Sequence, residues 1–218
     1  MKISKETIGV LKNFAAINSN LLIKEGSTLS TINTARNVFA TATVVEEFPQ
    51  EFGIYDLNEF LGVLNLFSEP DVEFKNKFVR VSDNGAGVKF YAADVSVLTV
   101  QDKPIKFPAT DIEFELSANQ LATIMKTSSV LRASDISVIG EDGTLSIVVG
   151  DLKNVTSNSF DIKIGDTDKT FNANIKVENL KLMSTDYKVS ISSKKIARFV
   201  STDEKIVVYV ALESTSTI

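Results

Sequence analysis

The sequence predicts an α+β chain of two similar domains, each running helix, strands, helix, strands. Two observations carry this. Local words recur in the same order: Glu25-Gly26-Ser27-Thr28-Leu29-Ser30 is answered by Glu141-Asp142-Gly143-Thr144-Leu145-Ser146, and Val88-Lys89-Phe90-Tyr91-Ala92-Ala93 by Val207-Val208-Tyr209-Val210-Ala211-Leu212. The offset drifts only from 113, at the helix starts Ser4 and Ser117, to 119 near the ends, as small loop changes between two copies of one fold would produce. The apolar pattern also alternates between a 3.6-residue and a two-residue period in both copies. The expected division is a first domain over 1–93, a connector over 94–111 and a second domain over 112–218.

Residues 5–18 are expected as a helix, because Thr7, Val10, Leu11, Phe14 and Ile17 share one side and Ser4 can cap it. Lys5, Gly9, Lys12 and Ala16 lie within about 60° of one another on the opposite side. Strands follow around 21–24, 28–33 and 38–45, reading as a meander separated by Gly, Ser, Asn and Arg turns. Asp56 caps a second predicted helix through Phe67, with Glu59 as its capping-box partner and Leu57, Phe60, Leu61, Val63, Leu64 and Phe67 as its apolar side. Strands over 72–75, 78–82 and 88–92 close the first copy, the last two joined by Asp83-Asn84-Gly85-Ala86-Gly87. The 94–111 stretch holds Pro104 and Pro108 and lacks helical periodicity, so it reads as the connector.

In the second copy Ser117-Ala118-Asn119-Gln120 is a capping box opening a helix to about Arg132. Leu121, Ile124, Met125, Ser128 and Leu131 form its core side, leaving Asn119, Thr123, Lys126 and Val130 on the other. A short helical turn is expected over 178–183, where the first copy has its second helix. Strands over 187–192, 196–200 and 206–212 finish the chain, the last two joined by a hairpin at Asp203-Glu204.

Composition removes most chemistry. The chain has no Cys and no His, which excludes disulfides, Cys/His zinc sites, thiol nucleophiles and imidazole mechanisms. The carboxylates of Asp166-Thr167-Asp168 and Glu141-Asp142-Gly143 read as turns between strands and lack calcium-loop spacing. Gly85-Ala86-Gly87 lacks the third glycine and following helix of a dinucleotide site, there is no phosphate-binding G-x-x-x-x-G-K loop, and Lys194-Lys195 reads as a solvated turn. No catalytic residue, metal site or cofactor is therefore expected. No run of about 18 apolar residues suggests a membrane span, and the amphipathic start lacks the apolar region of a secretion signal, so a cytoplasmic location is the default expectation.

Charge is unevenly distributed. The net charge is −5, yet residues 2–18 and 117–132 each carry +2, while the other two helical segments carry −2 and 0. The predicted helices together are thus +2 and the remainder −7. Lysine on an exposed helix is ordinarily just a solvated face, but helices repeated along one surface would present positive charge to an anionic partner.

Several collinear words carry a resemblance: Leu11-Lys12-Asn13-Phe14-Ala15 with Ile17-Asn18-Ser19, Tyr55-Asp56-Leu57-Asn58 with Phe60-Leu61-Gly62, Lys103-Pro104-Ile105 with Phe107-Pro108, and Val210-Ala211-Leu212-Glu213. Over nearly the whole chain they resemble the sliding clamp of T-even-type bacteriophages. The resemblance implies a DNA polymerase processivity factor with the fold of proliferating cell nuclear antigen, a homotrimer whose six similar domains surround duplex DNA without reading its sequence. It implies a DNA polymerase, a clamp loader complex and a late-transcription factor as partners, and the cytoplasm of an infected bacterial host as location. Lys5, Lys12, Lys126, Arg132 and Lys181 are then the expected DNA-facing residues, Arg132 lying at a helix end and nearer the core side. Glu59 departs from a basic lining. Ile105, Phe107, Val210, Ala211 and Leu212 are the expected walls of a partner-peptide pocket. A β-rich scaffold or adaptor that does not bind DNA is the alternative reading, and an enzyme working through paired carboxylates is a third.

Overall fold

In a computed structural model describing residues 1–101, 105–154 and 156–218, the chain divides into two compact units, 1–104 and 105–218. Asp102, Lys103 and Pro104, which belong to the sequence-predicted connector, lie outside the described residues, as does Val155. The division falls within the 94–111 segment, part of which forms a single 3-10 turn, Val95–Val97, capped by Asp94.

The first unit starts with helix α1 (Lys5–Ala15), where Ser4 Oγ accepts the Thr7 amide proton and Thr7, Val10, Leu11 and Phe14 are buried. The helix ends three residues before the predicted boundary. Asn18 supplies the reason: its side chain accepts from the Asn20 amide and donates to the carbonyls of Ile32 and Thr99, holding the chain out of helical geometry. Strands β1 (Leu21–Ile23), β2 (Gly26–Ile32), β3 (Val38–Phe48) and β4 (Phe52–Ile54) follow, with β1 antiparallel to β4 and β2 to β3. The short β4 carries no two-residue apolar period, since Phe52, Gly53 and Ile54 are all buried, which is why pattern alone misses it.

Helix α2 (Leu57–Asn65) buries Leu57, Phe60, Leu61 and Leu64 and packs beside α1. Asp56 caps it by accepting from the Asn58 and Glu59 amides. Strands β5 (Asp71–Phe74), β6 (Phe78–Asp83) and β7 (Ala86–Tyr91) form a three-stranded antiparallel sheet. The β6–β7 turn is tighter than expected: Ala86 and Gly87 belong to the strand, leaving Asn84 and Gly85, both at positive φ, as a two-residue loop. Edge-on aromatic contacts run from Phe48 to Phe74, Phe74 to Phe52 and Phe60 to Phe90, joining strands and α2 in one core.

The second unit repeats the plan. Strand β8 (Ile112–Leu116) leads into α3 (Ala118–Leu131), whose start carries the complete Ser117/Gln120 capping box. Strands β9 (Asp135–Glu141), β10 (Thr144–Gly150), β11 (Phe160–Asp166) and β12 (Phe171–Lys176) form a sheet ordered β11-β10-β9-β12. Gly140 in β9 is obligatory, since a Cβ there would sit 2.4 Å from the Phe171 ring. Strands β13 (Tyr187–Ser192), β14 (Ile196–Ser201) and β15 (Ile206–Ala211) pair in succession, with β8 alongside β13. In the first unit Met1 exchanges backbone hydrogen bonds with Val72 of β5, taking the place that β8 takes beside β13. The repeated words fall at matching points: one at the β1–β2 and β9–β10 junctions, the other in β7 and β15.

The segment 178–183 departs from expectation. Among the described residues it holds a 3-10 turn, Val177–Asn179, and Lys181 lies beyond it in irregular chain. Lys176 occupies the cap position, and its ammonium, a donor engaged with Asp135, cannot accept from the helix amides, so those of a longer helix would go unsatisfied there.

A buried acid unseen in the sequence anchors α1. Glu46 on β3 is 8 % exposed and accepts from the Ser4 amide and the Thr7 hydroxyl. Burial pushes its carboxyl upward, but these hydrogen bonds outweigh burial and hold it below the ordinary value of 4.5. Its stabilisation is therefore present above pH 4.5 and lost as pH falls through the lower folded value. Glu46→Gln should cost about 1–2 kcal/mol at pH 7 and much less near pH 3. Urea unfolding at both pH values checks this, and an equal loss at both would remove the charge from the account.

Candidate nucleic-acid interface and partner-peptide groove

The helices carry the first candidate site. On α1 the buried stripe leaves Lys5 and Lys12 exposed on the other side, seven residues and about 10 Å apart along the axis. On α3, Leu121, Ile124 and Ser128 are buried, Met125 and Leu131 half-buried, and Asn119, Thr123, Lys126 and Val130 exposed. Matching the buried stripes, Thr7, Val10 and Phe14 correspond to Leu121, Ile124 and Ser128 at a constant offset of 114. Lys12 then corresponds to Lys126, Lys5 to Asn119 and Ala16 to Val130. One lysine position is thus common to both copies and one is peculiar to the first.

Neither Lys5, Lys12 nor Lys126 forms an ion pair with a described residue, whereas Lys2 reaches Glu69 at 3.6 Å. Unpaired and mobile ammonium groups remain available to a mobile anion. Arg132 is exposed but sits at the C-cap of α3 in left-handed geometry, φ 52°, so it leaves the regular exposed stripe. Lys181 is half-buried and not helical. Glu59 is exposed on α2, keeping an acid on the helical layer of the first unit.

The second candidate site is the outer face of β13–β15. Alternation turns Val208 and Val210 inward, fully buried, and Val207, Tyr209 and Ala211 outward. Val210 and Leu212, expected as walls, are both buried, Val210 because odd and even strand positions face opposite sides. Tyr209, not singled out from the sequence, is the outward residue between Val208 and Val210. Phe107 lies against Tyr209 with centroids 6.2 Å apart and over the Arg198 guanidinium at 4.6 Å. Ile105 is half-buried nearby in sequence. Of the five expected wall residues, Phe107 and Ala211 belong to this outer surface by geometry. The signal for Tyr209 was its odd position in an alternating strand.

Of the carboxylate words, Glu141 and Asp166 end strands β9 and β11, while Asp142 and Gly143, both at positive φ, form the β9–β10 hairpin; Lys195 at φ 60° lies in that of β13–β14. Among the described residues no group of three acidic side chains is placed to hold a metal ion, and no helix is long and apolar enough to cross a membrane.

Comparison with known proteins agrees with this architecture. Residues 4–99 match the family described as DNA polymerase processivity factor, and residues 113–214 match that described as gp45 sliding clamp, C terminal. The chain is 37% identical to the sliding clamp of Vibrio phage KVP40, over 91% of this chain and 94% of that one. It is 31% identical to the sliding clamp of Escherichia phage RB69, covering 99% of both. Among solved structures, A. fulgidus PCNA bound to the C-terminal region of FEN-1 superposes with a TM-score of 0.71 at 12% identity, over 96% of each chain, which establishes the fold. Two repeated units with this topology, matched in both halves and over their whole length, place the chain in the sliding clamp family of DNA polymerase processivity factors.

Proposed function

We propose that three copies of this chain close into a ring around duplex DNA, the helices of each unit facing the hole and the sheets the outside. The observation that carries the reading is the repeat-equivalent pair Lys12 and Lys126, exposed on the side of each helix opposite its buried stripe. Lys5 adds a second cation per chain, and Lys181 and Arg132 are proposed as peripheral contributors. Outside the helical segments the chain is acidic, which keeps anionic DNA to the lysine-bearing faces.

A closed ring retains DNA by topology, so its phosphate contacts need neither strength nor sequence readout. Lysine suits this, being a hydrated point charge whose contacts form and break without the bidentate geometry of arginine. The protein works without catalysing a reaction. It tethers a DNA polymerase through a short peptide bound at the outer groove of Phe107, Tyr209 and Ala211, with Ile105 at its rim. FEN-1's C-terminal region bound to a protein of the same fold supports this mode of attachment. A clamp loader complex, which opens the ring, and a late-transcription factor are the further proposed partners, in the cytoplasm of an infected bacterial host.

Sedimentation equilibrium over a wide concentration range tests the assembly. A monomer–trimer equilibrium is expected, whereas a strict monomer or a dimer at every concentration would reject the ring and favour a scaffold that does not encircle DNA.

A further inference from the structure

We propose that Arg198 is the specificity-determining residue of the outer groove, where it takes the carboxylate of a short, otherwise apolar partner peptide. The proposal rests on the reading of that groove as a peptide site and adds what the peptide must carry.

Arg198 on β14 and Tyr209 on β15 are register partners on the outward face. The Phe107 ring covers the guanidinium, with Cζ 4.6 Å from its centroid. A guanidinium has five N–H donors and no acceptor. Here Nη2 donates to the Ser190 hydroxyl at 3.2 Å, while Nε is buried and has no hydrogen-bond partner. Burying an unused donor of a permanent cation is costly, so the arrangement is unfinished as it stands.

The acid best placed to complete it is engaged elsewhere. Glu113 on β8 lies opposite Ser190, in the same cross-strand row as Arg198, but its carboxylate faces Lys188 at 3.3 Å. Among the described residues no carboxylate lies within ion-pair distance of Arg198. Towards β15 the surroundings of the guanidinium are largely apolar: the outward positions Val200, Val207, Tyr209 and Ala211 are all half-buried, and the charged pair Lys188–Glu113 lies on the β13–β8 side. A cation with spare donors within an apolar strip selects an extended peptide of apolar side chains interrupted by one carboxylate, from Asp, Glu or a chain terminus. That carboxylate accepts from the guanidinium edge as Phe107 yields its place, and the apolar neighbours exclude water from the pair. Lysine could not replace Arg198 fully, because it lacks the planar fork.

The test is selection of displayed random dodecapeptides on the full-length wild-type protein, on Arg198→Met and on Arg198→Lys, each first checked for an unchanged circular dichroism spectrum and thermal melt. The wild type should enrich one acidic position beside apolar anchors. Changing that acid to its amide in a selected synthetic peptide should weaken binding to the wild type about tenfold or more and leave binding to Arg198→Met unchanged. Arg198→Lys should recover part of the preference. The same acidic preference in Arg198→Met would overturn the assignment. Selected peptides that bind Phe107→Ala and Tyr209→Ala as tightly as the wild type would instead remove the groove reading itself, and the proposal with it.

Discussion

Replacing both Lys5 and Lys12 by glutamate should leave the fold and the trimer intact and shorten processive synthesis by about tenfold or more at moderate salt. Both side chains are exposed on α1, and neither is paired with a described carboxylate, so no ion pair is lost. In a trimer the change converts six attractive charges near DNA into six repulsive ones. The measurement is primer extension with the polymerase and clamp loader across a salt series, beside sedimentation of the variant. Because the effect is electrostatic, the deficit should narrow as salt rises. Lys126→Glu alone should act in the same direction and more weakly. Undiminished synthesis by the double variant would remove α1 from the DNA-facing surface.

Asp135→Ala is expected to lower the stability of the second unit by about 3 kcal/mol at neutral pH, the scale found when one partner of a buried ion pair is removed. Asp135 is 1 % exposed and holds the Lys176 ammonium, the Ser134 hydroxyl and the Leu152 amide, tying together β9, β12 and the chain after β10. Burial alone pushes its carboxyl upward, but the hydrogen bonds from Lys176, Ser134 and Leu152 prevail and hold it below the ordinary 3.8. The stabilisation is thus present above pH 3.8 and disappears as pH falls through the lower folded value. Urea unfolding of the variant should show the full loss at pH 7 and little difference near pH 2. The paired change Asp135→Leu with Lys176→Met should recover much of the loss, since apolar replacements leave no stranded charge. A single-variant loss below about 1 kcal/mol would show that Lys176 simply relaxes into solvent.

The helices were the most legible part of the molecule. Their buried stripes at Thr7, Val10, Leu11 and Phe14 and at Leu121, Ile124 and Ser128 follow from periodicity, and their starts at Ser4 and Ser117 from side-chain chemistry one to four residues away. Strands β1–β3, β5–β7 and β13–β15 were equally readable, whereas β8–β12 were expected only as unplaced strands of the second copy. Short, wholly buried β4 was not legible, and the helical turn expected over 178–183 is confined to a 3-10 turn at Val177–Asn179, which no side chain caps.

What the sequence by itself determined was the repeat, the order of elements and the exposure of Lys5, Lys12 and Lys126, all properties set by neighbours within one or two turns of chain. Only tertiary structure decided that Val210 faces inward and Tyr209 outward, that Glu46 reaches the start of α1, that Asp135 meets Lys176, and that Phe107 covers Arg198. Those pairs are separated by some 40 to 90 residues, and their contact depends on strand register, where a shift of one residue would turn every side chain to the opposite face.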